Sequence, residues 1–175
     1  DAVGFVPHTV YWVDYVARAL GLGSRIGGYF WMILGLGAVF GPIAAGWCAD
    51  KIGFKFSLMI ALALKTAAVA LPLISTDYLS LTLSSFIVGA MTPGMVALVS
   101  GYTALLVGPQ RNRQVWGWMT FSFATAQAGS GYFMAWLFGT TSSYIPLFWA
   151  GSLALLAGLI LVSVSPRPSD QKQFV

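Results

Sequence analysis

Long uncharged runs broken by short polar junctions set the rhythm of this chain. Residues 26 to 49 are 24 positions without a charged side chain. As a helix they would cover about 36 Å, enough to cross a hydrocarbon core of about 30 Å. Arg113 is followed by no charge until Arg167, and the 53 residues between them fit two spans and a polar hairpin at 139–143. A spanning window predicts six helices, at about 1–17, 25–49, 56–76, 79–107, 114–138 and 144–165. Every junction carries breaker chemistry: Gly21-Leu22-Gly23-Ser24, the Gly53 turn, Ser75-Thr76-Asp77, Gly108-Pro109-Gln110, the Gly139 to Ser143 stretch, and Pro166 with Pro168. The segments are too long for barrel strands and show no sustained two-residue alternation, so they read as helices.

Composition turns this pattern into a class. With 58% hydrophobic and 8% charged residues and a mean hydropathy of +0.80, the chain is far from a soluble domain, where about 25% of residues are charged. It is predicted to be an all-α integral membrane protein. The net charge of +4 is spread singly over the membrane borders, so no nucleic-acid partner is expected. One cysteine, Cys48, excludes an internal disulfide and any cysteine-based metal cluster. No cofactor or metal site is predicted. The chain opens on Asp1 inside an apolar segment, and the expectation is a first span cut short, with about six further spans upstream.

Basic residues assign the sides. Lys51, Lys55, Arg111, Arg113, Arg167 and Lys172 fall at alternate junctions and in the tail, against Arg18 and Arg25 opposite. By the positive-inside rule the richer side is cytoplasmic, which directs the first span outward and leaves the 166–175 tail inside. Tyr29, Phe30, Trp31, Tyr78, Trp136, Phe138 and Tyr144 then lie near the outer interface, and Trp47, Trp116 and Trp118 near the inner one.

The most specific motif sits on the first inner turn. Gly46, Asp50, Lys51, Gly53 and Lys55 match G-x-x-x-D-[RK]-x-G-[RK]-[RK], with Phe54 in place of one basic residue. This resembles the loop signature of the major facilitator superfamily (MFS) of secondary transporters. In that family the signature follows the second span of each six-helix half. The resemblance therefore implies that residues 1–165 form the C-terminal half, helices seven to twelve, with the N-terminal half of the same transporter as partner. Pro7-His8-Thr9, the 14–18 end of the first span, Gly41-Pro42 and Thr92-Pro93-Gly94 are similar to the bacterial YbfB/YjiJ-type branch. A multi-pass protein of the inner membrane is implied.

Several residues carry candidate chemistry. Asp50 is read as a gating carboxylate beside a helix N-terminus, against a plain turn cap. His8, with Tyr11 and Tyr15 on one helical face, is either a proton relay or substrate contact, or a ring that bonds the carbonyl freed by Pro7. Thr92-Pro93-Gly94 is expected to interrupt the fourth span, with Pro93 and Gly94 as a hinge. Gln127, beside Thr125, is a substrate contact or an interhelical amide. Lys65 is the one cation within a span, too deep to reach the interface, and marks either a functional site or a buried structural pair. Asp14 and Arg18 are expected to pair at the exposed outer end.

No glutamate occurs, nor any H-E-x-x-H, G-x-S-x-G or phosphate-binding loop, so an intramembrane enzyme or ATP-driven pump fits poorly. The reading is a secondary carrier that moves a small-molecule substrate by alternating access, with H+ as the coupling ion. The alternatives are a half-size carrier that dimerises, and an intramembrane enzyme or scaffold.

Overall fold

The computed structural model describes residues 1–165, and over this range every regular element is a helix, with no strand. Pro166, Arg167, Pro168, Lys172 and the 166–175 tail, read above from the sequence, lie outside the described residues. The first segment, α1, is a composite: a π-helix Pro7–Tyr11, a single α turn Trp12–Asp14 and a second π-helix Tyr15–Ala19. Then come α2 (Gly23–Ile52), α3 (Phe54–Ala70, closed by the 3-10 turn Leu71–Leu73), α4 (Tyr78–Val107), α5 (Pro109–Thr141) and α6 (Ile145–Val164). Four of them, α2, α3 with its closing turn, α4 and α6, are long and apolar enough to cross a membrane. In α5 the apolar run is thinned by the polar stretch from Gln110 to Gln114 and by Thr120, Ser122, Thr125 and Gln127.

Two single-residue turns make the tightest connections. Gly53 ends α2 and starts α3 with φ 83° and ψ 157°; Gly108 joins α4 to α5 with φ 79° and ψ 161°. Both sit where only glycine is free of a Cβ penalty. The amide of Gly53 donates to Ala49 O, that of Gly108 to Ala104 O, and their own carbonyls accept from Ser57 and Asn112. Each glycine thus satisfies the last turn of one helix and the first turn of the next.

The main packing seam runs between α2 and α4. Gly37, Gly41 and Ala45 are buried along one stripe of α2, and a Cβ added at Gly41 would stand 1.8 Å from the Ala90 carbonyl oxygen. The two backbones touch, which is what a small-residue face permits in a membrane where lipid is as apolar as leucine. On the other side α3 packs between α4 and α6. The core fills with Trp12, Phe30, Leu81, Leu98, Met134, Leu147, Phe148 and Leu155.

The predicted break in α4 is absent: the helix runs unbroken through Thr92-Pro93-Gly94. A proline removes only one backbone hydrogen bond, and close packing of Gly94 against Gly41 of α2 holds the helix in line. Helix α5 is the outlier in burial. It buries only Ser130 and Met134, while Phe121, Tyr132 and Trp136 are 65%, 82% and 62% exposed.

Candidate functional site

The motif around the Gly53 turn separates into two halves. Lys55 is buried, and its ammonium donates to the carbonyls of Ser163, at 3.2 Å, and Ser165. Those are terminal acceptors of α6, where a cation meets both unpaired carbonyls and the negative end of the helix dipole. Asp50 and Lys51 are exposed instead. A Cβ at Gly46 would meet nothing within 4 Å, and the neighbouring Ile43 and Trp47 stand clear of the bundle. The motif therefore ties α3 to the end of α6 through Lys55 and turns Gly46, Asp50 and Lys51 outward.

Lys65 is wholly buried. It lies eleven residues after Phe54, about 16 Å along α3. Its ammonium pairs with Asp1 Oδ1 at 2.7 Å and lies 5.0 Å from the centre of the Phe5 ring. A cation in such a place needs a partner, and the carboxylate and aromatic face supply one. Asp1 itself is not enclosed. It borders a hollow of about 320 Å³ with Met95 and Val99 of α4 and Trp116, Met119, Thr120 and Phe123 of α5. A second hollow, about 490 Å³, meets the first at Asp1, Met119 and Phe123.

His8 belongs to the interior of the bundle. Its ring is fully buried, stacks on Trp12 at 4.2 Å between centroids and meets the edge of Phe148. Nε2 lies 2.7 Å from Ser84 Oγ, and Ser84 donates its single hydroxyl hydrogen to Ala68 O. The ring hydrogen must then sit on Nε2, with Ser84 accepting it. Trp12 repeats the arrangement one turn away, donating to Ser85 Oγ, which donates to Leu81 O. His8 Nδ1 has no protein partner.

The predicted residues are only partly brought together. His8 and Lys65 share the core between α1, α3 and α4. The predicted His8, Tyr11, Tyr15 face is corrected: Trp12 stacks on His8 and Tyr15 packs in turn on Trp12, whereas Tyr11 faces Phe138 of α5. The i→i+5 bonding of π turns, as in Leu20 N to Tyr15 O, widens each turn and shifts the face. Thr92 bonds back to Val88 O in its own helix. Gln127 is half-buried on α5, and its carbonyl accepts from Ser130. Asp14 and Arg18 pair at 2.8 Å as expected, with Tyr144 donating to the same carboxylate. Sequence reasoning missed Asp1, Phe5, Ser84 and Ser85; the adjacent serines inside an apolar span were the available signal for the last two.

The family model described as "Uncharacterised MFS-type transporter YbfB" matches residues 1–162. Among curated proteins, monocarboxylate transporter 12-B of Danio rerio is 29% identical over 162 residues, covering 89% of this chain and 34% of that protein. The chain thus spans about a third of the length of the curated relative it matches. No solved structure matches it. Helices of spanning length, the glycine and basic turn at Gly53 and the near-complete family match agree: this chain belongs to the MFS-type transporter family typified by YbfB, a family of multi-pass membrane transporters rather than enzymes.

Proposed function

We propose that residues 1–165 act as the C-terminal six-helix half of a secondary transporter that moves a small solute by alternating access, coupled to a proton. The observation that carries this reading is the uncovered face of α5. A helix with two buried residues and four polar side chains along its middle, Thr120 and Gln127 on one side and Ser122 and Thr125 on another, is suited to border an aqueous path against a second bundle. Exposed Asp50 and Lys51, with open space beside half-buried Gly46, suit a gate that a partner helix approaches and leaves. The inner membrane, with the turns at Gly53 and Gly108 on the cytoplasmic side, is the setting that the basic residues favour.

Cysteine labelling of the full-length protein tests this. In a cysteine-free background, a cysteine at Asn112 should react only from the cytoplasmic side, and one at Ser142 only from outside. One at Thr125 should react with a hydrophilic maleimide from either side, in proportions that shift when solute is added. A Thr125 position closed to the reagent from both sides would defeat the alternating-access reading, and reversed labelling of Asn112 and Ser142 would overturn the orientation.

A further inference from the structure

The Asp1–Lys65 pair is asymmetric in a way that bears on what the transporter carries. The lysine is sealed, at 0% side-chain exposure, whereas the aspartate is 17% exposed. Only the acid lines the hollow, whose other walls come from α4 and α5. The walls there are Met95, Val99, Trp116, Met119 and Phe123, with Thr120 as the other polar side chain. A solute entering this hollow meets apolar and aromatic surface and one charged side chain, which is negative. An anion could reach Lys65 only past Asp1.

We propose that this hollow binds a small amphiphilic organic cation, with Asp1 as its counter-ion, and that Lys65 releases its proton when the cation arrives. The proposal rests on the transport reading above and adds the substrate class and the coupling group. One carboxylate cannot neutralise two cations in apolar surroundings, where an uncompensated charge is expensive. The Lys65 ammonium gives its proton to the Asp1 carboxylate it already bonds, Asp1 passes it to water in the hollow, and the solute ammonium then takes the carboxylate beside a neutral amine. The charge of the site stays constant. Trp116 and Phe123 supply aromatic faces of the kind that attract quaternary ammonium groups.

The surroundings offer few competitors for that proton. His8 is the neighbouring titratable group on α1 and already donates through Nε2 to Ser84. Helices α4 and α6 carry no acidic or basic side chain along their lengths, and on α5 only Arg111 and Arg113, in its first turns, are charged. Tyr102 and Tyr132 complete the titratable groups of α4 beyond Tyr78 and of α5.

The test is equilibrium binding to the purified full-length protein, with benzyltrimethylammonium and benzoate as probes of similar size and opposite charge. Wild type should bind the cation and not the anion, releasing about one proton per cation in weakly buffered solution. Asp1→Asn should weaken cation binding at least tenfold. Lys65→Gln should retain or strengthen it and abolish proton release. Met119→Trp fills the hollow while leaving both charged side chains in the sequence, and should abolish binding even if the charge variants fail to fold. Binding of benzoate that depends on Lys65, or cation binding indifferent to Met119→Trp, would overturn the proposal, as would the failure of wild type to bind the cation. Because binding is read without transport, these outcomes stand apart from the labelling experiment that tests alternating access.

Discussion

His8 and Ser84, 76 positions apart, form one link of a relay that ends on the α3 backbone: Nε2 gives its hydrogen to Ser84 Oγ, and Ser84 gives its own to Ala68 O. Three helices are joined by two hydrogen bonds, each 2.7 Å long, in a place with no exposure. This geometry favours an interlock over a proton carrier. Ser84→Ala should leave the ring hydrogen without an acceptor and destabilise the full-length protein by about 1–2 kcal/mol, read as a lower melting temperature in detergent. His8→Gln, which can still donate to Ser84, should keep uptake dependent on a pH gradient. Loss of that dependence with folding intact would restore the relay.

The two ends of the α2 stripe should respond differently to bulk. Gly41→Leu drives a side chain into the α4 backbone and should destabilise by at least about 1–3 kcal/mol, or prevent assembly. Gly46→Leu meets open space and should leave the melting temperature unchanged while slowing transport, as should Asp50→Asn at normal expression. Transport kinetics untouched by both changes would remove the gate from this turn.

Lys55 should prove to be a structural member of the motif. Lys55→Gln shortens the reach to Ser163 O and Ser165 O and removes the charge at the end of α6, a loss of about 1.5–3 kcal/mol for a charged hydrogen bond. Hydrogen exchange should then quicken in the last turn of α6 before elsewhere. Exchange unchanged in that turn would show that the cap is not needed.

Asp77 predicts a pH dependence outside the membrane. Its carboxylate caps α4, accepting from the Ser80 amide at 2.8 Å and from the Ser75 and Ser80 hydroxyls. The Ser75 hydroxyl, then the Ser80 amide and hydroxyl, hold its pKa below the ordinary carboxylate value. A depressed folded-state pKa means stability that is present above the unfolded value and lost as pH falls through the folded one. A pH series of melting temperatures should decline in that acidic window for wild type and show a smaller decline for Asp77→Asn, which caps without titrating. Equal slopes would exclude the cap as a contributor.

Much of the fold could be read from the chain because glycine and charge mark membrane borders locally. Gly53 and Gly108 were recognisable as turns, and α4 and α6 begin and end within a residue of their predicted bounds. The parts that escaped depend on neighbours. Nothing in the local pattern announces π turns in α1, and they moved Tyr11 off the His8 face. Pro93 reads as a break in isolation, but in the fold Gly94 lies against Gly41 and the helix continues. Lys65 was legible as an intramembrane charge. Its partner was not, since Asp1 lies 64 residues away on another segment.

The paired glycine turns also constrain how such a protein is made. A one-residue connection gives α3 no slack to settle apart from α2, nor α5 apart from α4. Each pair must therefore enter the bilayer as a hairpin. At a synthesis rate of about 5–20 residues per second, α2 would wait roughly one to four seconds for the twenty residues of α3 and its closing turn to emerge. Its exposed Ile43 and Trp47 would remain with the insertion machinery or lipid in the meantime. Biogenesis, more than the finished fold, is where a longer linker at Gly53 or Gly108 would first be felt.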